Sequence, residues 1–219
     1  MENKFKIEIW SDIQCPFCYI GKRKIEKALD AFKEKDKVEI EWKSYQLDPD
    51  STSQPGIDLY DYLAKRKGQT RDWAIEMHKN VTQMAKENGL EYHFEKAILA
   101  NSYNAHRLIH LAKKHKLGNE AEEKIFKAYF TEGKDIANIA TLTALGIELG
   151  LKEDELKEVL SSDKFGDEVR ADIEEAQNIG VKGVPFFVFN RAYAVSGAQP
   201  VEIFTETLTK SFEDWKENK

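Results

Sequence analysis

The sequence predicts an α/β fold in which a β-α-β unit and an α-β-β-α unit, one from each end of the chain, are separated by a large all-helical insertion. Three observations predict it. Period-two alternation of apolar and polar residues is confined to the two ends, apolar residues at helical spacing fill the middle, and a short apolar strand led by Gly-Val-Pro (183–185) returns near the end.

Residues 5–10, Phe-Lys-Ile-Glu-Ile-Trp, alternate and stop at Ser11-Asp12, a strand entering a turn. Tyr19, Ile20, Ile25, Ala28, Leu29 and Phe32 then fall at helical intervals. Pro16 leads that helix, where its missing N–H would be unpaired in any case. Val38, Ile40, Trp42 and Tyr45 give a second strand, closed by the turn-like Leu-Asp-Pro-Asp of 47–50. Amphipathic helices follow over Leu59–Lys67, Trp73–Asn88, Ser102–Lys116, Glu120–Thr131 and Thr141–Leu149, with Gly89, Gly118, Gly133 and Gly150 near their boundaries. A helix over Val169–Asn178, strands at Phe186–Phe189 and Tyr193–Ser196 joined by a turn at Asn190-Arg191, and a final helix opened by Pro200 complete the chain. This order is the connectivity of a thioredoxin fold interrupted in its middle: one 219-residue domain, with residues 1–50 and 166–219 as its two halves and 51–165 as the insertion.

A chain of this length with 41% apolar residues can bury a core without cross-links. MENKFKIEIW shows no basic segment followed by an apolar run and a small-residue cleavage site, so a cytoplasmic location is expected. No apolar run approaches the roughly 18–20 residues that a membrane helix needs, which argues against membrane insertion. Net charge is −6 and Lys and Glu are intermixed, which argues against a nucleic-acid partner. The clusters KEKDK (33–37) and KKHK (113–116) read as solvated helix ends and loops.

Both cysteines lie in Cys15-Pro16-Phe17-Cys18, between the first strand and the first helix. A staple closing so short a loop would restrain little chain. A structural metal site needs about four ligands, and the His106/His110 pair, at i and i+4, belongs to the distant insertion, so no metal is expected. Cysteines at i and i+3 in a first helical turn lie about 5 Å apart at Cα, inside the roughly 4.4–6.8 Å that a disulfide accepts. The first faces unpaired helix N–H groups and the positive end of the dipole, both of which favour thiolate. The dipole alone supplies only about 0.3–1 kcal/mol, so direct N–H···S bonds would have to add to it. A reversible dithiol pair is the favoured reading.

Ser-Asp-Ile-Gln-Cys-Pro-Phe-Cys-Tyr-Ile-Gly-Lys (11–22), Asn-Ser-Tyr-Asn-Ala-His-Arg-Leu (101–108), Gly-Val-Pro-Phe-Phe-Val-Phe-Asn (183–190) and Ser-Gly-Ala-Gln (196–199) together resemble the DsbA-like thioredoxin superfamily, specifically its FrnE-like cytoplasmic branch. The resemblance implies a thiol–disulfide oxidoreductase in which Cys15 is the exposed attacking sulfur and Cys18 the buried resolving one. It makes Pro185 a cis proline facing the pair, with the Val184 backbone pairing with an extended substrate segment and Pro16 and Phe17 contacting substrate. His106 and Arg107 would border the substrate groove, the insertion covering the active-site face; read from the residues alone, Tyr103, His106, Arg107 and His110 are the exposed polar side of a helix capped by Asn101. The carboxylate that many thioredoxin-like proteins carry six residues before the first cysteine is Ile9 here, with Glu8 pointing the other way, so Asp12 or water becomes the candidate proton relay. Phe17 stands where the periplasmic oxidant has a histidine that bonds the thiolate, which argues for a less oxidising pair. No bound cofactor is implied; glutathione or a dithiol protein would exchange electrons, and protein or small-molecule thiols and disulfides would be substrates. No feature specifies an oligomeric state. Relatives with this insertion include glutathione-dependent isomerases and kappa-class glutathione transferases, the alternative reading; the second cysteine favours dithiol exchange.

Overall fold

A computed structural model describes residues 4–54 and 56–218. Among them the order is β1 (Phe5–Ser11), α1 (Pro16–Asp30), a 3-10 turn at Lys35–Lys37, β2 (Val38–Ser44), six helices α2 (Leu59–Lys67), α3 (Arg71–Glu87), α4 (Tyr103–Lys114), α5 (Gly118–Phe130), α6 (Ile139–Glu148) and α7 (Glu153–Ser161), then α8 (Gly166–Asn178), β3 (Phe186–Phe189), β4 (Tyr193–Ser196) and α9 (Val201–Glu217). The chain forms two compact units, one made of the residues through Leu47 together with those from Glu168 on, the other of Asp48–Asp167.

In the first unit the strands lie in the order β2-β1-β3-β4. β1 and β2 run parallel, Ile9 opposite Trp42, while β3 is antiparallel to β1, Ile9 opposite Phe187. β4 returns antiparallel to β3. Strand parity sorts the side chains: Phe5, Ile7 and Ile9 join Phe187, Phe189 and Trp42 against Ile25 and Ala28 of α1 and Phe204, Leu208, Phe212 and Trp215 of α9. Trp10 and Val188 pack on the opposite face with Ala176 and Val181. β3 is thus apolar on both faces, which is why its sequence reads as an unbroken run, Phe-Phe-Val-Phe.

The α8 face also carries charge. The Trp10 indole Nε1 donates to the Asp172 carbonyl at 2.8 Å, the Asp172 carboxylate accepts from Ser44 N at 2.9 Å, and Lys43 Nζ lies 3.2 Å from it. Glu8 is buried on this side and paired with Arg191, whose guanidinium also reaches Glu175 at 2.5 Å. Burial raises the Glu8 pKa and the Arg191 charge opposes that rise. Asn190 and Arg191 both have positive φ, 46° and 59°, the backbone of a type I′ hairpin turn.

The helical unit centres on α4, whose residues 105–112 are all buried. The His106, Arg107 and His110 part of the polar face expected at the surface is therefore enclosed, because α5, α6 and α7 pack around this helix, and Arg107 finds its partners inside. Arg107 Nε donates to the Lys164 carbonyl at 2.9 Å, Nη1 to Asn104 Oδ1 at 2.8 Å, and Nη2 to the carbonyls of Val159 and Ser162. The Asn101 side chain does hold the helix start, accepting from Tyr103 N at 2.9 Å. α7 is not among the helices that the periodicity predicts. Its nine residues bury only Leu156, Val159 and Leu160, and their packing on α4 and α6 supplies what so short a segment lacks alone.

Candidate active site

The site is built where β1 hands over to α1. Asp12, fully buried, organises the turn: its Oδ2 accepts from Leu47 N at 2.7 Å, its Oδ1 from Gln14 N at 3.3 Å, and its carbonyl from Cys15 N at 2.9 Å. An Asp directly after a strand suits this task because its short side chain bonds the backbone two residues on. Cys15 takes the N-cap position in extended conformation, φ −88° and ψ 109°, and its side chain makes no capping bond; Pro16 follows in the first turn. The thiol is left for other chemistry.

Cys15 is only 3% exposed, where an exposed sulfur was expected. The reason is its direction: Sγ donates to the Val184 carbonyl oxygen at 3.4 Å and so is turned inward. Cys18, 1% exposed, lies on the inner face of α1, the row that continues through Gly21, Ile25 and Ala28. Both are free thiols. Burial first, then the adjoining Cys15 sulfur, push the Cys18 thiol well above its ordinary pKa, while the Asp12 backbone and the Ser11 hydroxyl act in the opposite direction. Two sulfurs so unequal in surroundings can divide the labour of an exchange reaction.

The far side of the site comes from the end of the chain. The Val184–Pro185 peptide bond is cis, and the Pro185 carbonyl accepts from Gly197 N at 2.8 Å. Gly197 holds φ 80°, a left-handed conformation that suits glycine. Lys24 of α1 donates to the Ala198 carbonyl at 2.7 Å, tying the active-site helix to the same turn. Gly21 lets the parts close up: a Cβ there would stand 3.0 Å from Pro185 Cγ and 3.1 Å from Phe187 Cζ.

Cys15, Cys18, Val184 and Pro185 thus meet in one unit, with Pro16 and the 37%-exposed Phe17 on the helix's first turn. Asp12 supports the turn from below, Ile9 belongs to the apolar core, and Glu8 lies on the opposite sheet face. His106 and Arg107 lie on α4 of the helical unit, both buried, Arg107 with its guanidinium engaged as described above. The sequence reading passed over Gly21 and treated Ser11 only as the start of a turn. A glycine inside a helical pattern three residues after Cys18 is the signal for the first; strand parity, which places Ser11 in the row of Ile7 and Ile9, is the signal for the second. Among the described residues no cluster of three or more His, Cys, Asp or Glu could hold a metal ion, and no helix is long and apolar enough to cross a membrane.

Residues 6–209 match the DSBA-like thioredoxin domain. A Streptomyces coelicolor protein described as a probable DsbA oxidoreductase is 37% identical, with a TM-score of 0.89 over 95% of this chain and 90% of that one. The uncharacterized Bacillus subtilis protein YwbO is 28% identical over 206 residues, 93% of this chain and 95% of its own length. The cytosolic disulfide reductase DsbM of Pseudomonas aeruginosa, 17% identical with a TM-score of 0.68 over 95% of this chain and 98% of its own, shares the fold.

Proposed function

The chain belongs to the DsbA-like thioredoxin family of thiol–disulfide oxidoreductases, and from that premise we propose that it is a cytoplasmic, FrnE-like enzyme that exchanges disulfides through Cys15 and Cys18. The observation that carries the proposal is the asymmetry of the pair: Cys15 at an uncapped helix mouth against the Val184 carbonyl, Cys18 buried behind it with its thiol pKa raised.

Cys15 attacks a substrate disulfide, its sulfur bonds to one substrate sulfur, and the other leaves with the electron pair and takes up a proton. Cys18 stays a thiol during this step because burial disfavours its charge, and it then displaces the substrate from Cys15. A substrate segment laid along Val184 replaces the Cys15 thiol as partner of that carbonyl, so docking frees the nucleophile at the moment it is needed. Pro16 and Phe17 form the adjoining contact surface on the helix's first turn, and Asp12 fixes the turn that carries them. In this proposal His106 and Arg107 contribute within the helical unit, where Arg107 braces α4.

No bound cofactor is required. Glutathione or a dithiol protein returns the pair to its starting state; the Pseudomonas aeruginosa neighbour that shares the fold has been solved with GSH. A cytoplasmic setting fits a chain whose two cysteines are both in the exchange pair, none being spent on a structural disulfide.

Replacing Cys15 by Ser is expected to abolish exchange. Cys18→Ser is expected to trap mixed disulfides on Cys15 under mild oxidation, read as mass adducts that dithiothreitol removes. Recovery of no adducts, together with glutathione-dependent isomerisation or conjugation, would overturn dithiol exchange in favour of a glutathione-dependent isomerase or kappa-class-like transferase.

A further inference from the structure

We propose that the Ser11 hydroxyl is the hydrogen-bond donor that stabilises the Cys18 sulfur whenever it carries negative charge, a role that deepens the dithiol-exchange reading above and rests on it. β1 turns one row of side chains, Phe5, Ile7, Ile9 and Ser11, toward α1, and of these four Ser11 alone is polar. It is the last residue of β1, four before Cys15, and its hydroxyl is among the groups that act on the Cys18 thiol. Its residue is fully buried and its Oγ has no nitrogen or oxygen partner among the described residues, the Cys18 sulfur being the group it acts on.

A buried hydroxyl without a partner is unfavourable by about 1–3 kcal/mol and calls for an explanation. The chemistry of the neighbouring sulfur supplies one. A thiol is a weak acceptor, so the O–H gains little from it; a thiolate is a charged acceptor, and a hydrogen bond to it is roughly twice as strong as a neutral one. Ser11 is therefore poised for a species that exists only during turnover. The alternatives on this side are occupied or apolar, since Ile9 cannot donate and the Asp12 carboxylate accepts from two backbone N–H groups. The Cys15 sulfur and the Asp12 backbone act on Cys18, and Lys22, buried one turn further along α1, is paired with Glu26; the loop and β3 bring a carbonyl, a proline ring and Phe187.

In the resolving step Cys18 releases its proton to water and its sulfur attacks Sγ of Cys15 in the mixed disulfide. The Cys15–Cys18 bond forms and the bond from Cys15 to the substrate sulfur breaks. The substrate sulfur leaves with the electron pair and takes a proton from water. The two cysteines are oxidised and the substrate disulfide is reduced. In the reverse direction Cys18 is the leaving thiolate. Ser11 donates to the same charged sulfur in both directions.

The test compares Ser11→Thr with Ser11→Val in the full chain, two side chains of one shape that differ by the hydroxyl. Reduced protein is mixed with oxidised glutathione, quenched in acid at successive times and weighed, separating the Cys15–glutathione adduct from the internal disulfide. Ser11→Val is expected to form the adduct at the wild-type rate but to resolve it about tenfold more slowly, with its half-maximal rate displaced upward by about one pH unit, while Ser11→Thr stays within about threefold of wild type. Where the branched pair does not fold, Ser11→Ala against wild type gives the same reading. Equal resolution rates and equal pH profiles with and without the hydroxyl would overturn the assignment. A wild-type chain that resolves no adduct because it forms none would instead refute dithiol exchange itself, and this role with it.

Discussion

Gly21→Ala adds one methyl group to the inner face of α1, and the structure says what that methyl meets. A Cβ at this position lies 3.0 Å from Pro185 Cγ, 3.1 Å from Phe187 Cζ and 3.6 Å from Phe187 Cε2. Ordinary carbon contacts begin near 3.5 Å, so both close neighbours must retreat by a few tenths of an ångström. Phe187 has nowhere to go: it is fully buried and packed edge-on against Phe204 at 4.7 Å between centroids. The loop therefore yields, and it carries the Val184 carbonyl that sits 3.4 Å from Cys15 Sγ. Overpacking is unfavourable by about 1–3 kcal/mol, and alanine's better helix propensity returns about 1 kcal/mol. The net expectation is a loss of about 0–2 kcal/mol in unfolding free energy with a disproportionate fall in exchange. Gly183→Ala is the control, because a Cβ there meets nothing within 4 Å. Urea unfolding and glutathione-disulfide reduction by the folded protein, measured for both variants, provide the assay. If Gly21→Ala gains the full 1 kcal/mol of propensity and exchanges at the wild-type rate, the close fit between α1 and the loop does not position the site.

Asp12→Ala leaves two backbone N–H groups in the turn without their acceptor and is expected to lower unfolding free energy by about 3 kcal/mol; Asp12→Asn, which keeps one acceptor, should lose about half as much, both read by denaturant titration. A Cβ at Gly146 would come within 2.3 Å of Leu156 Cδ2, and Leu156 is fully buried, so Gly146→Ala is expected to destabilise by about 2 kcal/mol despite alanine's helix propensity, visible as a lowered thermal midpoint. Burial lowers the His78 pKa from 6.5 to about 4 while the ring stacks on Phe94 at 4.2 Å. The unfolded chain binds that proton first, so the stability is present above pH 6.5 and is lost as pH falls toward 4, by at most about 3 kcal/mol. His78→Phe should flatten that part of the stability–pH curve; an unchanged slope would show that His78 is not its source.

Much of the fold was legible because it follows from periods. Alternation in Phe5–Trp10 marks the strand and the unbroken run Phe186–Phe189 marks one apolar on both faces, whereas the burial of Glu8 and Trp10 on the second face of β1 is not legible in that alternation. The Cys15–Cys18 spacing and Pro16 at a helix start are local constraints of the same kind. α7 escaped because nine residues with three buried side chains carry too little pattern to stand apart from a solvated segment. The polar face of α4 misled because an arginine looks the same in sequence whether water or buried carbonyls receive its N–H groups, as those of Val159 and Lys164 do for Arg107.

The sequence by itself determined the order of the elements apart from α7 and the position of the dithiol at a strand-to-helix junction, and its family resemblance pointed to the distant Val184–Pro185 step. Only the tertiary structure decided that Cys15 turns toward the Val184 carbonyl, that Asp12 is spent on backbone amides, that Gly21 sets the approach of the loop, and that Ser11 keeps an unanswered hydroxyl at the end of β1. The physical reason is one of range. Propensity and periodicity act over a few residues, whereas a hydrogen bond or a close contact between residues 15 and 184 exists only after the chain has brought them together.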